Sequence, residues 1–342
     1  MSAWPLAFLL EEPGMTRRSA LFGLLGAILM AFTPAVSQAA DPLKIAYSDW
    51  PGWVAWEVAI QKDFFKAEGV DVQFTWLEYS PSMDAFSANK VDACLMTNGD
   101  AMVTGESGRK STGILLTDYS NGNDMIVAKP GYNSIKDLKG KKIGVEVTLV
   151  EHLMLLKALE ANGMKESDVT LVKVKTDDTP QTLASGGVDA IGAWYPLAGQ
   201  ALKTVAGSKA LFTSAQVPGL IYDGLYVGKD SLAARKADWQ KVTKVWFKTV
   251  AYIQDPKTHD EAVKIMAARV KVSPADYDKS LKGTFLLDLP GNVKAYEKRD
   301  TLDSVYGSSK TADAFYVKND VYKKAADIDS YLDVGIIKEL SK

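Results

Sequence analysis

Val91-Asp92-Ala93 recurs as Val188-Asp189-Ala190, 97 residues downstream. Alone, a tripeptide match would mean little, but its neighbours keep the same offset. Lys44-Ile45-Ala46-Tyr47 reads as a short buried strand and so does Lys142-Ile143-Gly144-Val145, with Ile45 and Ile143 98 apart. Asp71-Val72 opens a strand-like run, and Asp168-Val169 opens another 97 later. Three landmarks in one order predict two similar βαβαβ units. Helical patterns fill the gaps over residues 53–68 and 149–161, the second stopping at Asn162-Gly163, a helix C-terminal signal. Strands alternating with helices predict parallel sheets. Beyond residue 232, Trp239, Val242, Trp246, Val250 and Ile253 recur at helical spacing, so the C-terminal third reads as helices with both tryptophans in the core. Ser273-Pro274 with Asp276 reads as a further helix start.

The first forty residues read differently. Thr16-Arg17-Arg18 precedes an apolar stretch from Ala20 to Val36, then Ser37-Gln38-Ala39, a small-x-small cleavage pattern. This is the pattern of a secretory signal peptide cut near Ala39, by Sec or twin-arginine export, with translation starting at Met1 or Met15. A soluble, exported, monomeric protein follows. The 342 residues suit two domains. Forty Lys and Arg against 42 Asp and Glu leave a net charge of −2, which argues against a nucleic-acid binder. One cysteine, Cys94, and two histidines leave little for a metal centre or for His- or Cys-dependent catalysis; no cofactor is expected.

The segments KIAYSDWPGW (44–53), DFFKAEGVDV (63–72), VDACLMTNGDA (91–101), NDMIVAKPG (123–131), DLKGKKIGVE (137–146) and VDAIGAW (188–194) resemble solute-binding proteins of ABC importers in the nitrate/sulfonate/taurine (NitT/TauT) family. The resemblance implies an α/β chain with the type II periplasmic-binding-protein fold: two βα lobes around a ligand cleft, with a helical C-terminal extension. It implies lobe 1 over 40–127 and 225–342 and lobe 2 over 128–224, with crossings near Asn123–Pro130 and Leu220–Gly228. It also implies an ABC permease and its ATPase as partners. More narrowly, SDWPGWVAWE, MTNGDAMVTG and DYSNGNDMIVAKPG resemble the subgroup associated with urea-carboxylase and guanidine-utilisation genes, which implies guanidine as solute.

The loops expected beyond the strand ends speak to ligand charge. Residues 48–53, 78–80, 97–100, 117–124, 146–151, 176–179, 194–196 and 222–224 hold no Lys or Arg and ten acids, where the chain average gives about four and five. They also hold Trp50, Trp53, Tyr119 and Trp194. An anion receptor would offer Arg, Lys or free helix N-terminal amides. Here Leu149 and Val150, flanked by Glu146 and Glu151, open the helix where sulfonate-binding relatives carry small or hydroxyl residues. Carboxylates with indole faces suit a planar cation, by bidentate pairing and cation–π contact. The candidate ligand residues are Asp49, Trp50, Trp53, Asn98, Asp100, Tyr119, Glu146, Glu151, Trp194 and Asp223. Glu146, Glu151 and Asp100 are the expected charge partners, and Trp50 and Trp194 the expected faces. Asp49 is alternatively a helix cap. Two other functions compete: an anion receptor for a sulfonate, taurine or nitrate, and an enzyme like the thiamine-pyrimidine synthases of the same fold.

Overall fold

The computed structural model describes residues 41–342; the expected signal segment lies outside them. Eleven strands run in chain order: β1 Leu43–Tyr47, β2 Val72–Trp76, β3 Ala93–Thr97, β4 Ser111–Ser120, β5 Asp124–Ala128, β6 Lys142–Val145, β7 Thr170–Lys173, β8 Ala190–Trp194, β9 Lys209–Thr213, β10 Tyr222–Gly228 and β11 Thr284–Leu286. They form two sheets, ordered β11-β4-β10-β3-β1-β2 and β7-β6-β8-β5-β9. The chain is thus a mixed α/β fold of two sheets clothed by helices.

The repeat has a structural cause. In the first sheet β1 pairs in parallel with β2 and β3; in the second β6 pairs in parallel with β7 and β8. The recurring aspartate clamps each trio. The Lys44 backbone N–H donates to Asp92 Oδ2 at 2.8 Å, and the Lys142 N–H donates to Asp189 Oδ2 at 3.0 Å. In return the Asp92 and Asp189 N–H groups donate to the Lys44 and Lys142 carbonyls. The flanking Val and Ala of both tripeptides are buried.

The sheets are not wholly parallel, contrary to the alternation of strands and helices. β10 runs antiparallel between β3 and β4, and β5 runs antiparallel between β8 and β9. The reason is that each crossing of the chain is itself a strand of the sheet it enters. The start of β10 therefore lies beside the carboxyl end of β3, and the start of β5 beside that of β8. Two acids arrive at these edges: Asp223 opposite Thr97, and Asp124 opposite Trp194.

The pattern over 53–68 resolves into three short helices, Pro51–Val54, Trp56–Gln61 and Phe64–Glu68. The break before the third is at Asp63, whose φ of 54° is left-handed, a conformation Asp tolerates better than most residues. The helix over 149–161 forms as Val150–Ala161. The C-terminal third is helical but adds β11 to the edge of the first sheet. Trp239 and Trp246 are fully buried in the helix Lys236–Gln254. Trp246 packs on Trp56 with ring centroids 4.9 Å apart, tying that helix to the first sheet's covering layer. The Ser273 hydroxyl accepts the Asp276 N–H and caps the helix Pro274–Leu281.

A hydrogen bond to a charged group contributes roughly 1.5–3 kcal/mol. Asp92→Ala and Asp189→Ala should each lower unfolding free energy by about that amount, read as a lower urea midpoint with unchanged slope.

Candidate functional site

The strand ends and the two antiparallel crossings meet at one place. From the first sheet come Asp118, near the end of β4, and Asp223, its direct cross-strand neighbour on β10. From the second come Asp124, opening β5, and Glu151, in the first turn of the helix Val150–Ala161. All four carboxyl groups are at least 98% buried, with exposures of 0% for Asp118 and Glu151, 1% for Asp223 and 2% for Asp124. Among the described residues, no donor gives a hydrogen bond to Asp118 Oδ2, Asp124 Oδ2, Asp223 Oδ2 or either oxygen of Glu151. Buried polar atoms are otherwise almost always paired.

Local sequence makes room for this cluster. Pro51 sits in the first turn of the short helix after β1, where its fixed φ is pre-organised. Trp50, capping that helix, donates its indole N–H to Asp118 Oδ1 at 2.8 Å. At the next position a Cβ on Gly52 would lie 1.9 Å from Asp118 Oδ2, so only glycine admits the carboxylate. A Cβ on Gly192 would lie 3.0 Å from Glu151 Oε2.

Loss of water governs the electrostatics. It pushes Asp118 up to about 7, against the pull of Trp50. It pushes Asp124 up to about 6. Glu151 and Asp223 are held well above the carboxylate range, by burial first and then by the charges of Asp124 and Asp118 respectively. None of the groups that set the acidity of these four acids is a Lys, Arg or His.

Aromatic side chains wall the chamber. Trp50 and Trp53 meet at 6.5 Å, and Tyr79 meets Trp53 at 5.2 Å and the edge of Trp194 at 5.4 Å. With Asp124, Val150 and Asp223 they enclose a cavity of about 10 Å³, room for one water. The Trp53 indole N–H, also buried, has no acceptor.

The expected ligand residues divide. Trp50, Trp53, Trp194 and Asp223 line this cavity; Glu151 does not line it but adjoins Asp124, which does. Asp100 borders the cluster but is saturated: it accepts from the Tyr79 and Tyr316 hydroxyls at 2.8 Å each and from the Val150 N–H at 3.4 Å. Burial still raises it to about 6. Asp49 does not cap the helix at Pro51, which has no side-chain cap. Half-buried and raised to about 7 by loss of water, it accepts the Trp194 indole N–H at 2.9 Å. It faces a separate open cleft of about 580 Å³ that also touches Glu78, Asp177, Lys203 and Arg269.

Three others stand apart. Glu146 is occupied by the Thr176 N–H at 3.2 Å, the Thr176 hydroxyl at 3.0 Å and the Ser80 hydroxyl. Asn98 ties β10 to the helix Val305–Lys318, accepting from the Tyr222 N–H and donating to Ser308 and Ser309. Tyr119 stacks on Phe285 in a different cavity. Sequence reasoning did not select Asp118, Asp124 or Tyr79, although all three fall in the acidic and aromatic loops. The cross-strand register Asp118–Asp223 was the missing information. Nothing in the sequence points to Tyr316, more than two hundred residues from Asp100. Among the described residues no group of three or more His, Cys, Asp or Glu could hold a metal ion, and no helix is long and apolar enough to cross a membrane.

Two sheets, each a parallel trio with an antiparallel crossing strand, define the periplasmic-binding class of fold. Solved structures of that fold agree: the periplasmic aliphatic sulphonate binding protein SsuA of Escherichia coli superposes with a TM-score of 0.69 over 88% of this chain and 100% of its own, at 16% identity. The periplasmic nitrate-binding protein NrtA of Synechocystis PCC 6803 gives 0.69 over 89% of each, at 11% identity. A Brucella abortus protein bearing a binding-protein name is 26% identical over 261 residues, 75% of this chain and 80% of that one. Residues 50–258 match the NMT1/THI5-like family, and the chain belongs to that family.

The raised acids fix a pH dependence. A carboxyl raised above its unfolded value favours the folded state below that value, and the contribution is lost as pH rises through the folded one. Asp124, Asp100, Asp118 and Asp49, at about 6 to 7, place the loss between about pH 4 and 7. The ligand-free protein should therefore melt at a lower temperature at pH 8 than at pH 5, measured by calorimetry at constant ionic strength.

Proposed function

We propose that the protein is an extracytoplasmic solute receptor of an ABC importer and that its solute is a small planar cation, guanidinium being favoured. The observation that carries this reading is the set of carboxylate oxygens buried without a donor, with no basic side chain among the groups acting on them. An unpaired buried carboxylate costs several kcal/mol. A guanidinium ion answers it with paired N–H donors in one plane and a face that stacks on indole.

The receptor part of the reading draws on the NMT1/THI5-like family and on the fold shared with periplasmic binding proteins; it supports a periplasmic site of action and a permease with its ATPase as partners. A thiol-dependent enzyme finds no support here: Cys94 is buried within β3 and burial pushes its thiol up to about 12. The cavity is too tight for guanidinium as it stands, so entry requires the sheets to part and close. Contacts that cross between the two halves include Trp194 to Asp49, Val150 to Asp100 and Ser80 to Glu146. The SsuA and NrtA names favour a competing anion solute, but the acids around the chamber oppose it.

Calorimetry should show guanidinium binding and no comparable binding of urea, taurine or nitrate. Glu151→Gln and Asp223→Asn should each weaken guanidinium on the order of 10²–10³-fold, as expected for leaving a buried charge unpaired. Glu160→Gln, on an exposed residue paired with Lys157, should change nothing. Tighter binding of taurine or nitrate would overturn the cationic solute. Small-angle scattering should show compaction at saturating guanidinium; an open protein that stays open would count against hinge closure.

A further inference from the structure

The four acids are arranged as two pairs, one across two strands of the first sheet and one between β5 and the helix Val150–Ala161. Asp118 and Asp223 are direct cross-strand neighbours on β4 and β10, which brings their side chains within about 4.5–5.5 Å at Cβ, and their carboxyl groups are within hydrogen-bond reach of each other. Asp124 lies opposite Trp194 on β8, Glu151 Oε2 lies beside Gly192 of the same strand, and the charge of Asp124 acts on Glu151. Two carboxylates so close cannot both stay ionised without a cation. Each pair keeps an oxygen that no donor among the described residues reaches.

We infer that the receptor takes its cation in exchange for protons: while the chamber lacks solute each pair shares one proton, and the incoming cation displaces it. In the exchange an O–H bond breaks, the proton passes to solvent, and N–H groups of the solute donate to the carboxylate oxygens in its place. One monocation therefore releases about one proton, two at most. The groups facing the pairs do not supply that charge themselves. The Trp50 indole N–H meets Asp118, Tyr277 lies near Asp118, Tyr226 lies near Asp223, and Asp100 bears on both Asp223 and Glu151. The tyrosines are themselves pushed up by burial and stay neutral, and Asp100 adds only further negative charge.

The inference rests on the cationic solute proposed above, and one experiment separates the two. Guanidinium, at concentrations far below the denaturing range, is titrated into the protein near pH 6.5 in two buffers of different ionisation enthalpy. The difference in heat counts the protons. About one proton released, with affinity rising about tenfold per pH unit below neutrality, supports the exchange. Binding with no proton released and no change of affinity with pH overturns the exchange and leaves the cationic solute standing. No binding overturns both. Asp223→Asn should reduce the proton count and flatten the pH dependence. On the wild-type protein, independently of any variant, the infrared band of protonated carboxyl groups should diminish as guanidinium is added; an unchanged band overturns the exchange.

Discussion

Burial of four carboxyl groups at the junction of two sheets, without a basic side chain acting on them, is the constraint around which the molecule is organised. Water would solvate these groups well, and the protein removes it. Desolvation on this scale is tolerated only where protons or a cation balance the charge. The surrounding residues make the burial possible: Gly52 leaves room beside Asp118, Gly192 leaves room beside Glu151, and Trp50 supplies a neutral donor to one oxygen. The aromatic walls exclude water and keep the local dielectric low, which strengthens any charge pairing inside.

The frame that holds these groups is simple. Each sheet has a parallel trio braced by one aspartate to a lysine at the start of a neighbouring strand, and an antiparallel strand added by the chain as it crosses. Parallel trios alone would place only carboxyl ends at the junction. The crossings add strand beginnings, and with them Asp223 and Asp124. Topology, rather than local preference, decides that residues about one hundred apart in the chain share a chamber.

Much of this was legible in the sequence. The offset between the two Val-Asp-Ala tripeptides carried the two-unit architecture because a repeated fold needs the same bracket at the same place. The acidic loops carried the charge of the site. What escaped was pairing. Asp118 and Asp124 look like neighbours in a turn-rich stretch, yet they belong to different sheets and face different partners. Glu146 looked equivalent to Glu151 but spends its oxygens on Thr176 and Ser80. Asn98, expected among the ligand residues, instead has its amide engaged in joining β10 to a C-terminal helix. These outcomes depend on side-chain direction and on long-range contacts, which no window of sequence contains.

The bonds from Trp194 to Asp49 and from Val150 to Asp100 join the two sheets using atoms of the protein alone. The Asp100 carboxylate reaches the amino end of the helix Val150–Ala161, a position that attracts negative charge. Part of the work of holding the two halves together is thus done by the protein's own atoms. On the receptor reading, a small solute with few contacts of its own can favour the closed arrangement, because it adds to bonds that the protein already supplies.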